Sequence, residues 1–149
     1  MSLKEGHFVC DYLYESLKKS NLDQLCEGEM VNIELALKAS SPMGGHVVSG
    51  HIDTKLPIKT LSREAPWGRL ELEIPKEDLN FVVYKGSICI DGISLTIASL
   101  EDQTLGVELI PHTLEETTLN KKKQGSYVNI EYDMLGKYVI NYLSNQKGD

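Results

Sequence analysis

The run Gly44-Gly45-His46-Val47-Val48-Ser49-Gly50-His51-Ile52-Asp53 holds the densest set of chemically competent side chains in the 149-residue sequence. On a strand, histidines five residues apart point to opposite faces, so His46 and His51 cannot share a metal. Ser49, His51 and Asp53 do share a face, in the manner of a hydrolase triad. Residues i and i+2 of a strand, however, stand ~6.5–7 Å apart with parallel side chains. A nucleophile and its base need ~2.6–3.2 Å, and no nucleophile elbow surrounds Ser49. A structural strand carrying one functional histidine is the reading that remains. His112, in Ile110-Pro111-His112-Thr113-Leu114, falls where a strand passes into a helical turn. Thr113 and Glu116 have the spacing of a capping box there, and free N–H groups at such a start can also hold a carbonyl or anionic oxygen. Cys89 has no basic neighbour in sequence and reads as a small buried residue rather than a nucleophile.

The stretch Lys85-Gly86-Ser87-Ile88-Cys89-Ile90-Asp91-Gly92-Ile93-Ser94-Leu95-Thr96-Ile97 is the clearest local signal. Asp-Gly between alternating runs predicts a two-residue type I′ hairpin, because both central residues need positive φ. Ile90 then faces Ile93, Cys89 faces Ser94, Ile88 faces Leu95 and Ser87 faces Thr96. One face carries Ile88, Ile90, Ile93, Leu95 and Ile97 and is core. The other carries Lys85, Ser87, Cys89, Ser94 and Thr96. It is either solvated surface or the wall of a polar pocket.

The elements that must position these residues are mostly strands. Phe8–Leu13, Met30–Leu37, His46–Ile52, Leu70–Ile74, Ser87–Ile90, Ile93–Ala98, Leu105–Ile110 and Tyr127–Glu131 are short and rich in β-branched or aromatic residues. Gly, Pro, Asp and Asn punctuate the gaps, as in Ser41-Pro42-Met43-Gly44-Gly45 and Ala65-Pro66-Trp67-Gly68. Short helical stretches are predicted at Leu114–Thr118 and near Leu17. A last helix over about Leu135–Leu143 would place Leu135, Tyr138, Val139 and Tyr142 on one face. Lys121-Lys122-Lys123 reads as a solvated turn. Many short strands at regular spacing predict an antiparallel barrel rather than a parallel sheet.

The chain also repeats itself. Phe8–Glu34 set against Leu105–Glu131, a constant offset of 97 without a gap, aligns Leu17 with Leu114, Leu22 with Leu119 and Gly28 with Gly125. Val31-Asn32-Ile33-Glu34 then matches Val128-Asn129-Ile130-Glu131 in full. The opening half of the first unit has no counterpart after Met1, so one and a half units are present.

Composition bounds the function. The formal charge of −7 removes a duplex-binding footprint, so no nucleic-acid partner is expected. No apolar run approaches the ~18 residues of a membrane span, and Met1–His7 lacks the apolar core of a signal peptide. The odd set Cys10, Cys26 and Cys89 forms neither a disulfide framework nor a zinc knuckle. A reduced, cytoplasmic protein without a metal is expected.

Taken together, the motifs resemble the riboflavin synthases of the lumazine-binding family. The matching stretches are Gly44–Asp53, then Lys85-Gly86-Ser87-Ile88 with Asp91–Thr96, then Leu109–Leu114 with Thr117-Thr118-Leu119, and last Gly125, Val128–Glu131 and Asp133. The resemblance implies a mostly β fold, a six-stranded antiparallel Greek-key barrel with short helices and a C-terminal helix, preceded by a partial second copy. It divides the chain into a remnant of a first lumazine-binding repeat (1–40), a second barrel (41–134) and a C-terminal helix and tail (135–149). The implied activity is the dismutation of two dimethyl-ribityl-lumazine molecules into riboflavin and a ribitylamino-uracil by transfer of a four-carbon unit, with no cofactor. It assigns Gly50, His51, Ile52, Lys85, Ser94, Leu95, Thr96, Leu109, Ile110, Pro111, His112 and Thr113 to the ligand wall. His51, Ser94 and Asp133 are the catalytic candidates.

The same resemblance implies a homo-oligomer, a trimer in two-barrel relatives and a dimer or larger here. Tyr14 stands where the family's first repeat usually has Pro, and the family's opening half-barrel is missing. A chain with one complete wall is expected to turn over slowly, and Phe8–Leu37 is expected to pack across a subunit interface. The competing functions are a non-catalytic lumazine or flavin carrier of the same family and an unrelated all-β interaction module.

Overall fold

The computed structural model describes residues 2–4, 6–64 and 66–146, with the backbone alone at 2–4. Met1, Glu5, Ala65 of the expected Ala65–Gly68 turn and the last three residues of the expected tail lie outside the described residues. An antiparallel pair, β1 (Ser2–Lys4) and β2 (His7–Val9), opens the chain. It leads into α1 (Tyr14–Lys19) and a 3-10 turn at Asn21–Gln24. A closed barrel follows, built from β3 (Thr54–Ser62), β4 (Gly68–Glu73), β5 (Ser87–Ile90), β6 (Ile93–Glu101), β7 (Thr104–Leu109) and β8 (Tyr127–Tyr132). Its order is β3-β4-β7-β6-β5-β8, all pairs antiparallel. Because β5, β6 and β7 run as a meander and β8 returns beside β5, the barrel is a Greek key, as expected. Between β7 and β8 lie α2 (Pro111–Glu116) and a second 3-10 turn at Thr118–Lys121, and α3 (Met134–Gln146) ends the described chain.

Strand periodicity fills the barrel. Along β4, Leu70 and Leu72 point inward with no exposure, while Arg69, Glu71 and Glu73 face out. Ile88, Ile90, Ile97, Val107, Val128 and Ile130 complete a dry interior. The barrel is therefore packed with its own side chains.

The offset of 97 recurs in three dimensions. Shifted by 97, α1 coincides with α2, and the turn Asn21–Gln24 with Thr118–Lys121. Ser20 Oγ accepts from Leu22 N and donates to Ser16 O; Thr117 Oγ1 accepts from Leu119 N and donates to Thr113 O. The register Ser2↔Val9, Leu3↔Phe8, Lys4↔His7 maps onto Ser99↔Gly106, Leu100↔Leu105, Glu101↔Thr104. Gly28 and Gly125 share a positive φ, +87° and +84°.

Several predicted elements are corrected. Phe8–Leu13 is strand only as far as Val9, and Met30–Leu37 is no strand at all. Their shifted counterparts belong to β7 and β8, and β8 is held by β3 and β5 on its two sides. Nothing among the described residues plays those two parts for Met30–Leu37. Val31 and Ile33 are accordingly 45% and 66% exposed, where Val128 and Ile130 are fully buried. His46–Ile52 is an irregular loop, and the strand expected there begins at Thr54. β3 contains Pro57, which has no ladder N–H to offer. Pro57 sits where β3 stops pairing with β8 and starts pairing with β4 at Ile58, so the missing donor is tolerated. The predicted last helix is longer than read, and its Leu135, Tyr138, Val139 and Tyr142 face is exposed.

Candidate functional site

The hairpin of β5 and β6 has the register that its Asp-Gly turn predicts. Ser87 pairs with Thr96, Ile88 with Leu95, Cys89 with Ser94 and Ile90 with Ile93. Asp91 and Gly92 both have positive φ, +48° and +83°, as a type I′ turn requires. On the outer face Ser94 lies beside Cys89, and Cys89 lies beside Glu131 of β8. This row of three strands is the floor of the site.

The loop 44–52 forms its roof. Glu131, 2% exposed, accepts hydrogen bonds from Ser49 N (2.8 Å) and Ser49 Oγ (2.7 Å) on Oε1 and from Gly50 N (3.0 Å) on Oε2. A buried carboxylate satisfied by three donors is a strong anchor. Further along the loop, His46 Nδ1 lies 2.8 Å from Ser94 Oγ, and His46 N donates to the same oxygen at 3.4 Å. A Cβ on Gly45 would stand 2.5 Å from Ser94 Oγ, so only glycine lets the loop come this close. His46 Nε2 is buried and has no partner among the described residues. If Nδ1 accepts from Ser94, Nε2 carries the ring proton.

Lys85, Ser94, Thr96, His51 and His112 are all solvent-exposed. The polar hairpin face thus offers hydroxyls and an ammonium outward, while Leu95 turns in and packs on the core. Leu109 is fully buried as a side chain. Ladder pairing between β6 and β7 ends at Ile97–Val107, leaving the end of β7 without a strand on that side. Ile110 is half exposed, Pro111 is the first residue of α2 and Ile110 is its N-cap, so Thr113 lies inside the helix and is not the cap.

Two of the catalytic candidates, His51 and Asp133, do not bond to Ser94. His51 makes no side-chain hydrogen bond among the described residues, and it is His46 that faces Ser94. Asp133 caps α3, accepting from Leu135 N (3.0 Å). Asp53, the third member of the rejected triad, accepts from Tyr132 N (2.8 Å) and pairs with Lys137 Nζ (2.6 Å). Burial, with the charge of Glu131 beside it, pushes the Cys89 thiol up to about 12, so it is no nucleophile at neutral pH.

Sequence reasoning missed His46 because its partner lies 48 residues away and no local pattern links them. It also missed Glu131, although an acidic residue closing an apolar strand block that recurs intact was a usable signal.

The lumazine binding domain family model matches residues 49–133. Riboflavin synthase of Actinobacillus pleuropneumoniae is 41% identical, the match covering 99% of this chain and 69% of that protein. Riboflavin synthase of Bacillus subtilis (strain 168) is 40% identical over 93% of this chain and 65% of its own length. Among solved structures, LumP complexed with riboflavin superposes with a TM-score of 0.73 at 22% identity, over 79% of this chain and 64% of that chain. The chain thus spans about two thirds of the length of the curated relatives it matches.

Proposed function

The chain belongs to the lumazine-binding domain family, and from that premise we propose that it is a transferase of the riboflavin synthase type. Its substrate is dimethyl-ribityl-lumazine, two molecules of which yield riboflavin and a ribitylamino-uracil by transfer of a four-carbon unit. The observation that carries this reading is the pair Ser94 Oγ and His46 Nδ1, 2.8 Å apart on the outer barrel face.

In this reading the first forty residues belong to a first lumazine-binding repeat and the barrel is the second, which supplies one substrate wall. Thr96 and Lys85 hold ribityl hydroxyls, and backbone groups of Leu109–Thr113 pair with the uracil-like edge of the ring. Reaction begins when a ring methyl of one lumazine loses a proton to water and its electron pair spreads into the pteridine. On the other lumazine, His46 Nδ1 takes the hydroxyl proton as Ser94 Oγ bonds to an electron-poor ring carbon, whose displaced electron pair moves onto the ring. The carbanion then attacks that activated ring, and the proton on His46 returns as the Ser94 bond breaks. A second carbon–carbon bond closes the new ring, and the two C–N bonds of the activated lumazine break, its nitrogens taking up protons as the ribitylamino-uracil leaves. Orientation of two rings face to face supplies much of the acceleration.

The carrier reading is kept because the superposable LumP structures hold lumazine, riboflavin and flavin mononucleotide. One experiment separates the two. Fluorescence titration with dimethyl-ribityl-lumazine tests binding, and absorbance of released riboflavin tests turnover. Binding with slow release of riboflavin, lowered about 10²–10⁴-fold in Ser94→Ala or His46→Ala, is expected. Binding without any riboflavin points to the carrier, and no binding overturns both.

A further inference from the structure

From Asp23 to Gly45 every residue is exposed except Asn32. Asn32 Oδ1 accepts from Thr118 N at 2.8 Å, and its Nδ2 donates to Asp91 O at 2.9 Å. Asn129, its counterpart at the offset of 97, accepts on Oδ1 from Asn21 N at 2.7 Å. Asn21 and Thr118 are themselves counterparts, each the first residue of its 3-10 turn. The two bonds exchange places when the two copies are exchanged. Such reciprocity is the mark of an isologous contact about a two-fold axis.

We propose that this reciprocal asparagine clasp between the two copies makes Asn32 a positioning residue for the Ser94–Thr96 face. The chemistry of the turns explains why an asparagine is required. The side chains of Ser20 and Thr117 satisfy the N–H groups of Leu22 and Leu119, which leaves the first N–H of each turn an orphan. Each orphan is capped by the asparagine of the other copy. Neither copy can cap its own turn with this residue, because Asn32 and Asn129 are spent on the opposite one.

The clasp converges on the hairpin of the site. Asp91, its side chain only 8% exposed, accepts on Oδ1 from Asn129 N (2.7 Å) and Asn21 Nδ2 (3.4 Å), and pairs through Oδ2 with Lys122 Nζ (3.1 Å). Asn21 Nδ2 also donates to Tyr127 O at 3.0 Å. Two side chains of the first copy thus grip the turn from which Ser94 and Thr96 extend. The intact Val-Asn-Ile-Glu block in both copies gains a physical reason. In the second copy its Val and Ile fill the barrel interior and its Glu holds the roof loop, and in both copies its Asn serves the opposite one.

The test uses the full chain and amide hydrogen exchange read by NMR, with ribityl-lumazine affinity as a second measurement that rests on the proposed function. Asn32→Leu should speed exchange at Thr118 by about tenfold, the worth of one hydrogen bond lost with its donor left unpaired, and leave Asn21 near wild type. Asn32→Asp, which retains the acceptor, should keep Thr118 protected. In Asn32→Leu the dissociation constant for dimethyl-ribityl-lumazine should rise by a similar factor of about ten. Unchanged exchange at Thr118 in Asn32→Leu overturns the clasp, whatever the ligand does. Faster exchange with unchanged affinity overturns the positioning role. A wild-type chain that binds no lumazine overturns the proposed function and the positioning role together, while the exchange comparison still decides the clasp.

Discussion

Replacing Glu131 isolates the anchor of the roof loop. The carboxylate is 2% exposed and accepts three hydrogen bonds from Ser49 and Gly50. Bonds to a charged group contribute ~1.5–3 kcal/mol each, against a desolvation cost of several kcal/mol for a buried ion. The net favours the fold by a few kcal/mol, and Glu131→Ala should lower unfolding free energy by about 2–4 kcal/mol. Glu131→Gln retains the shape and one acceptor oxygen, which can keep the two bonds from Ser49. Its NH2 then opposes Gly50 N–H, one bond is lost, and about 1–3 kcal/mol should follow. Urea denaturation gives both values, and amide exchange at Ser49 and Gly50 reports whether the loop has opened. In both variants the dissociation constant for dimethyl-ribityl-lumazine should rise, because His46 is carried by the same loop. Variants within about 0.5 kcal/mol of wild type, with Ser49 and Gly50 still protected, would refute the anchor.

The remaining predictions address the hairpin faces, the thiols and the pH dependence. Ile97→Ala, at a position with no exposure, should cost about 2–5 kcal/mol, whereas Thr96→Val on the exposed face should alter stability by under ~0.5 kcal/mol and weaken ligand binding; melts with the reverse order would invert the face assignment. A thiol reagent at neutral pH should modify exposed Cys26 and spare Cys89, buried with its thiol pushed up to about 12, until the chain is unfolded; rapid labelling of Cys89 in the native protein would contradict its burial. Hydrogen bonding to Arg69 holds the Glu71 carboxyl below its ordinary value, so its stabilisation is present above the unfolded-state pKa and is lost as pH falls through the folded one. The melting temperature of wild type should therefore fall further on acidification than that of Arg69→Gln, and identical acid profiles would remove this pair from the balance.

How much was legible depends on the range over which each feature is encoded. The β5–β6 hairpin was readable to the residue, because period-two alternation and an Asp-Gly turn are local and set the register alone. The recurrence at 97 was readable for the same reason, and the helices and 3-10 turns it aligns do coincide. A helix closes its hydrogen bonds within itself, whereas a strand needs a neighbour. Met30–Leu37 has the strand pattern of β8 in its sequence, yet without flanking strands it forms none. Val47 and Val48 suggested a strand, but Glu131, eighty-odd residues away, draws that run into a loop. Pro57 concealed β3, because only the barrel shows that its missing N–H lies where the strand changes partners. The chemistry divides along the same line. Composition and motif could place Ser94 on an outward face, since alternation alone decides it. Only the closed barrel, with Ser94, Cys89 and Glu131 side by side, could bring His46 rather than His51 to the hydroxyl.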